Sequence, residues 1–258
     1  MGGSGTGATT RGDGHGRLGS TLSGLAVAVG CVLFLGGFVW AALVYRPYTV
    51  PTDSMSPTVT SGERVLAQRI DGADVRRGDI VVFTDTRWSN VPMIKRVVGV
   101  DGDKVACCDG QGRLTLNGEA VEEPYLHPGV PGDEQTASPT AFTATVPDGH
   151  LFLLGDHRVG SQDSRVHLTE PGQGSVPRKA VTGRVDAVVW PLDGVVQRPD
   201  AFAALPGGVS RPGPVEPLTW AVVAGAGLIL GGAAYGPVAS VLRRTDGRGG
   251  RGEATARG

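Results

Sequence analysis

The chain predicts a mainly β body carried between two transmembrane helices, and three observations support this. Segments 21–45 and 218–242 contain no charged residue, and each is long enough to span a bilayer with some tilt. Between them lie short apolar runs rich in β-branched residues and bounded by turn signals, the pattern of strands. No segment of that middle region shows a convincing 3.6-residue apolar period, so helices are not expected there.

Residues 1–20 are rich in Gly, Ser, Thr and Arg and read as a disordered tail, as do residues 243–258. Arg11 and Arg17 precede the first span, and Arg243, Arg244, Arg248, Arg251 and Arg257 follow the second. By the positive-inside rule both tails face the cytoplasm and the region between the spans lies outside. A cleaved signal peptide is the alternative for the first span, but its apolar run exceeds the 7–15 residues of such a segment, so an uncleaved anchor is favoured. Gly227-x-x-x-Gly231 in the second span is compatible with close helix packing, although chance serves as well in so Gly/Ala-rich a sequence.

The external body, 46–198, begins beside the first span. Strands are expected at 64–67, 79–83, 93–100, 151–154 and 185–189. In 114–121, Asn117-Gly118 lies between two short alternating runs, a signal for a tight hairpin. Residues 123–148, with scattered Pro, Gly and Thr, read as a long irregular excursion. Five prolines fall within 197–217, so 199–217 reads as a linker to the second span.

Net charge is −1, which gives no reason to expect nucleic acid as a partner. Of 24 basic residues only Lys95, Lys104 and Lys179 are lysines; in so Arg-rich a chain each deserves inspection for chemistry that Arg cannot perform, because only a desolvated Lys loses its proton. Cys31 reads as a small apolar residue of the first span. Cys107 and Cys108 are adjacent in the external part, where a disulfide, two free thiols and intermolecular pairing all stay open. Neither C-x-x-C nor H-E-x-x-H occurs, so no metal site is expected.

Ser54 lies nine residues beyond the first span. An extended chain therefore holds it within roughly 30 Å of that span's end. A serine near a proline-bounded turn is usually a turn residue, and there is no G-x-S-x-G elbow. A nucleophilic serine needs a base. The five histidines leave a Ser-His-Asp arrangement open, but nothing in their spacing points to one. Lys95, read on a strand, shares a face with Met93 and Val97. Desolvation there would lower its pKa and make it a base; snorkelling at a strand edge is the competing reading. A third element, 155–165, follows an apolar run and offers Asp156 with Arg158, and Asp163 with Arg165, as bracing pairs.

These blocks together resemble bacterial type I signal peptidases, membrane-bound Ser-Lys proteases of peptidase family S26, in the two-span layout of actinobacterial members. Ser54-Met55-x-Pro57-Thr58 matches the family's nucleophile block, and Arg77-Gly78-Asp79-Ile80-Val81-Val82-Phe83 its second block. Lys95-Arg96-Val97-Val98-Gly99 and Gly155-Asp156…Ser161-x-Asp163-Ser164-Arg165 match the remaining two, in the same order. The resemblance covers roughly 47–190. It implies an antiparallel, barrel-like β-fold with no cofactor or metal, acting on signal-peptide-bearing pre-proteins at the outer face of the lipid bilayer. Cleavage would follow small residues, typically Ala-x-Ala.

By the same resemblance Ser54 is the nucleophile and Lys95 the general base. Ser161 would hold the lysine amine, Asp163 and Arg165 would stabilise the loop with Asp156, and the Thr52 hydroxyl would join the Ser54 N–H in an oxyanion hole. Val50, Met55, Val59 and Ile94 would wall the substrate pocket. His157 departs from the family's usual Asn. An inactive anchored β-domain that binds a partner is the alternative, as is a Ser-Lys self-cleaving regulator.

Overall fold

The computed structural model describes residues 14–128 and 136–249, and it divides into two compact units. The smaller unit holds helices α1 (Gly14–Val44) and α3 (Val215–Gly249). Both are long and apolar enough to cross a membrane. Ser23 Oγ donates to the Gly232 carbonyl at 2.7 Å, and a β-carbon on Gly30 would lie 2.8 Å from the Gly225 carbonyl oxygen. Small residues thus bring the two backbones together. Gly227 and Gly231, the pair singled out in the sequence, have no side-chain or backbone neighbour within reach of a β-carbon; the close approach falls on Gly225 and Gly232, which lie on another face of the helix.

The larger unit, Ala42–Val215, is antiparallel β throughout its strand pairings. Its strands are β1 (Tyr45–Thr49), β2 (Arg64–Gln68), β3 (Ile80–Phe83), β4 (Met93–Val100), β5 (Lys104–Cys107) and β6 (Leu114–Leu116). They continue with β7 (Glu119–Val121), β8 (Phe142–Thr145), β9 (His150–Leu154), β10 (Val176–Pro177), β11 (Val181–Trp190) and β12 (Gly194–Val195). The main sheet runs β1-β2-β11-β3-β4-β9-β10, with β12 on β11, and the smaller sheet runs β7-β6-β5-β8. The main sheet curls as a half-barrel whose path stays open, with β1 and β10 at its edges.

All five expected strands are present, and the Asn117-Gly118 turn joins β6 to β7 with φ of 55° and 89°, the left-handed pair that a tight hairpin turn requires. Two differences stand out. The stretch 123–148, read as irregular, contains β8, whose Phe142 and Ala144 point inward and complete the smaller sheet; residues 129–135 of that stretch lie outside the described residues.

The second difference is the stretch expected as a linker, which packs on the body over 198–213. The short helix α2 (Asp200–Ala203) puts Phe202 fully into the core. Arg77 donates to the Pro206 carbonyl at 2.5 Å. Arg198 binds Asp186 Oδ1 at 2.5 Å and lies 3.6 Å from Asp79 Oδ1, while Ser210 Oγ donates to Asp79. Burial pushes the Asp79 carboxyl pKa up, against the pull of the hydrogen bond from Ser210. The strap thus brings partners to two carboxylates, Asp79 and Asp186, that would otherwise be buried beside one another.

Candidate active site

Ser54 sits in the turn that follows β1. That turn is closed by backbone bonds from Ser56 N to Asp53 O and from Val59 N to Met55 O, both 2.9 Å, and Ser61 N donates to Asp53 Oδ1 at 2.8 Å. Met55 and Val59 are fully buried and anchor it in the core. The turn is therefore pinned from below, and Ser54, 6% exposed, is held on its upper side.

Lys95 comes from β4, where its register partner on β3 is Val81. Its alternating neighbours Met93 and Val97 pack with Val81, Phe83, Leu151 and Leu153. The lysine is 5% exposed, and its Nζ lies 2.8 Å from Ser54 Oγ. Burial lowers its pKa to about 8; Asp163 and Asp156 push it upward, less strongly, and Arg165 adds to the lowering. Desolvation disfavours the ammonium, so the free amine is accessible near neutral pH. Thr52 Oγ1 is 3.3 Å from the same Ser54 Oγ. Among the described residues the Ser54 backbone N–H has no acceptor. A hydroxyl 2.8 Å from an amine whose charged form is disfavoured, with a second hydroxyl at 3.3 Å, offers parts that acyl transfer uses.

The four histidines of the β body make other contacts. The rings of His127 and His157 stack at 4.2 Å, His150 Nδ1 meets the Asp148 carbonyl, and His167 stacks on Trp88 and bonds Glu170.

The loop 155–165 closes the site from the far side. Asp163, fully buried, accepts from the Gly155 N–H at 3.0 Å and from Arg165 Nε and Nη2 at 2.8 Å each, so this expected pair forms. The other does not. Asp156 pairs with Arg96 through two bonds of 2.8 and 2.6 Å and accepts from Thr58 Oγ1 at 2.6 Å, while Arg158 pairs with Glu123. Arg96 is the residue of this site that the sequence reading did not single out, although it stands inside the Lys95-Arg96 block. It is 1% exposed, donates to the Gly78 carbonyl at 2.9 Å and lies over the Tyr125 ring at 3.9 Å. It ties the Ser54 turn (through Thr58), β4 and the loop at Asp156 into one unit.

Ser161 lies within this site but does not hold the lysine here. Its buried hydroxyl has no hydrogen-bond partner and packs beside Gly155. A β-carbon on Gly155 would overlap both Ser161 Oγ and the Ser54 carbonyl oxygen. Gly155→Ala should therefore displace Ser54, and a misplacement of about 1 Å costs on the order of 10²-fold in rate; turnover within threefold of the parent protein would refute this packing argument.

Beside Ser54 and Lys95 opens a cleft of about 300 Å³ between residues 48–52 and 89–95, with Gly160 and Gln162 at its end. Val50 and Ile94 line it, as expected of pocket residues, whereas Met55 and Val59 pack behind it in the core. Their side chains form the cleft's support, because the turn's anchoring requires them to point inward.

Comparison with known proteins agrees with this geometry. The family model described as signal peptidase, peptidase S26, matches residues 21–190. A probable signal peptidase I of Mycobacterium leprae is 30% identical over 207 residues, covering 60% of this chain and 71% of that protein. Signal peptidase I of Mycobacterium tuberculosis is 30% identical over 220 residues (67% and 74%), and that of Bacillus caldolyticus 35% over 159 residues (58% and 81%). A family model that spans well over half of the chain, and includes both Ser54 and Lys95, settles the relationship: this chain belongs to the signal peptidases of peptidase family S26.

Proposed function

We propose that the chain is a membrane-bound signal peptidase I, a serine endopeptidase that removes signal peptides from exported pre-proteins by means of a Ser54–Lys95 dyad. The observation that carries this reading is the 2.8 Å contact between Lys95 Nζ and Ser54 Oγ in a buried site that disfavours the ammonium. Neutral Lys95 takes the Ser54 proton as Oγ attacks the scissile carbonyl carbon. The oxyanion is received by the Ser54 N–H and the Thr52 hydroxyl. Lys95 then returns the proton to the leaving amine, and water, activated by the same lysine, hydrolyses the acyl-enzyme. Asp163, Arg165 and Asp156 keep the 155–165 loop in place, and Ser161 fills the space beside Gly155.

The substrate lies extended in the cleft, adding a strand beside residues 48–52. Val50 and Ile94 crowd the space next to Ser54 and favour a small residue before the cut. Two apolar helices fit a membrane-anchored enzyme; in our reading 21–45 and 218–242 cross the lipid bilayer, both tails are cytoplasmic and the β body is extracytoplasmic. An inactive binding domain has less support, since it would not need Ser54 and Lys95 in contact.

The test is incubation of the purified protein in detergent with a signal-peptide-bearing precursor, followed by N-terminal sequencing of the product. The expected cut follows small residues at the last and third-last positions of the signal peptide. An uncut precursor, or a cut insensitive to Ser54→Ala, would overturn the proposal.

A further inference from the structure

The loop 155–165, whose His157 N–H donates to the Ser54 carbonyl at 3.2 Å, is anchored at its far end beside the only two adjacent cysteines of the chain. Arg158 Nη1 donates to the Ala137 carbonyl at 2.6 Å, and Arg165 Nη1 to Ser138 Oγ at 3.3 Å. These are the two arginines that grip 155–165: Arg158 also binds the Gly155 carbonyl, and Arg165 binds Asp163. Ala137 and Ser138 are buried, and they rest in turn on the segment after β5. Ala137 N donates to the Gly112 carbonyl at 2.8 Å, and the Ser138 carbonyl oxygen lies 3.9 Å from Cys108 Sγ. Cys107 closes β5, paired in register with Leu114 and Phe142, and is disulfide-bonded to Cys108. Cys107 is buried while Cys108 is exposed.

We propose that Cys107–Cys108 is a thiol–disulfide exchange site whose oxidation state sets how firmly the 155–165 loop is braced, and through it the activity of the dyad. The inference rests on the Ser54–Lys95 reading for its effect on cleavage, but not for the exchange itself. The partner is a low-molecular-weight thiol. Its thiolate attacks the exposed Cys108 sulfur, the bond to Cys107 breaks, and Cys107 leaves as a thiolate that takes a proton. A second thiolate attacks the mixed disulfide at its outer sulfur. This releases Cys108 as a thiol and the partner as its disulfide, two electrons having passed to the protein. In the dithiol form the two sulfurs are no longer joined, and the Cys108 side chain is free to turn away from the Ser138 carbonyl. The seat of Ser138 loosens, and both arginines lose part of their footing.

The experiment uses the full chain in detergent with Cys31→Ala, so that only the two adjacent cysteines report. Maleimide labelling followed by mass measurement should count no free thiol as purified and two after dithiothreitol. Hydrogen exchange across 155–165 should quicken on reduction, and cleavage of a precursor should slow by about 2- to 30-fold, the range reached by couplings of this kind. Both should recover on reoxidation. Cys108→Ser, a change at an exposed position, should fix the slow state and abolish the response to thiol. Two thiols that an oxidant leaves unpaired, or equal exchange in the two forms, would overturn the inference. An oxidised protein that exchanges as expected yet cuts nothing would instead refute the proposed function and leave the exchange site standing.

Discussion

Lys95→Arg should abolish precursor cleavage as completely as Lys95→Ala does, although it keeps charge and length. The guanidinium stays protonated at any working pH and cannot accept the Ser54 proton. Loss of a general base costs about 10²–10⁴-fold, and loss of the nucleophile in Ser54→Ala on the order of 10⁶-fold in a comparable serine protease. The parent protein should carry the signature of the same lysine. Its pKa is lowered to about 8 by burial, and the protonated form is the inactive one. Thus kcat/KM should be level above that pH and fall about tenfold per unit below it. A rate unchanged between pH 5 and 9, or turnover retained in Lys95→Arg, would remove Lys95 from the role of base.

Phe202→Ala should lower stability by about 3–5 kcal/mol, the usual cost of truncating a buried phenylalanine. The residue lies outside the region matched by the family model but is fully buried, packed against the turn at Gly78. Arg198→Ala should cost less, about 1.5–3 kcal/mol, the usual worth of a hydrogen bond to a charged group, because Asp186 keeps Arg184 and the Tyr45 hydroxyl. Asp186 loses its 2.5 Å bond and Asp79 its nearest cation. Thermal unfolding of each variant checks both expectations. A mere linker would register neither change, and a shift of less than about 1 kcal/mol in both would restore the linker reading.

How much of this was legible in the sequence depended on how far apart the interacting residues lie. Ser54 and Lys95 were legible because each stands in a short contiguous block that resembles the family's, whereas a proline-bounded turn or apolar strand neighbours alone left an ordinary turn serine and a snorkelling lysine open. Asp163 with Arg165 was readable for the same reason. Asp156 was not, because its partner Arg96 stands on another strand, sixty positions earlier; the nearer Arg158 was the wrong choice, drawn instead to Glu123. Strand β11 looked shorter than it is, since Arg184 interrupts the apolar pattern before Val185, and a second charge, Asp186, stands within it. They are buried all the same, satisfied by Gln68, Arg198 and each other. Strand β8 was hidden by brevity and by its surroundings of Pro and Thr. Phe202 was hidden by prolines on either side that, read alone, signal a flexible stretch.

The docked strap also bears on the order in which the molecule comes into being. Ser54 and Lys95 leave the ribosome early, but the partners of Asp79 and Asp186 are Arg198 and Ser210, made more than a hundred residues after Lys95. At 5–20 residues per second that interval is roughly 5 to 20 s. During it Asp79 is without Arg198 and Ser210 and the core is without Phe202, while Asp186 is itself made only twelve residues before Arg198. A newborn chain therefore has its dyad spelled out well before it has the fold to use it, and acquires that fold only as synthesis reaches the second span.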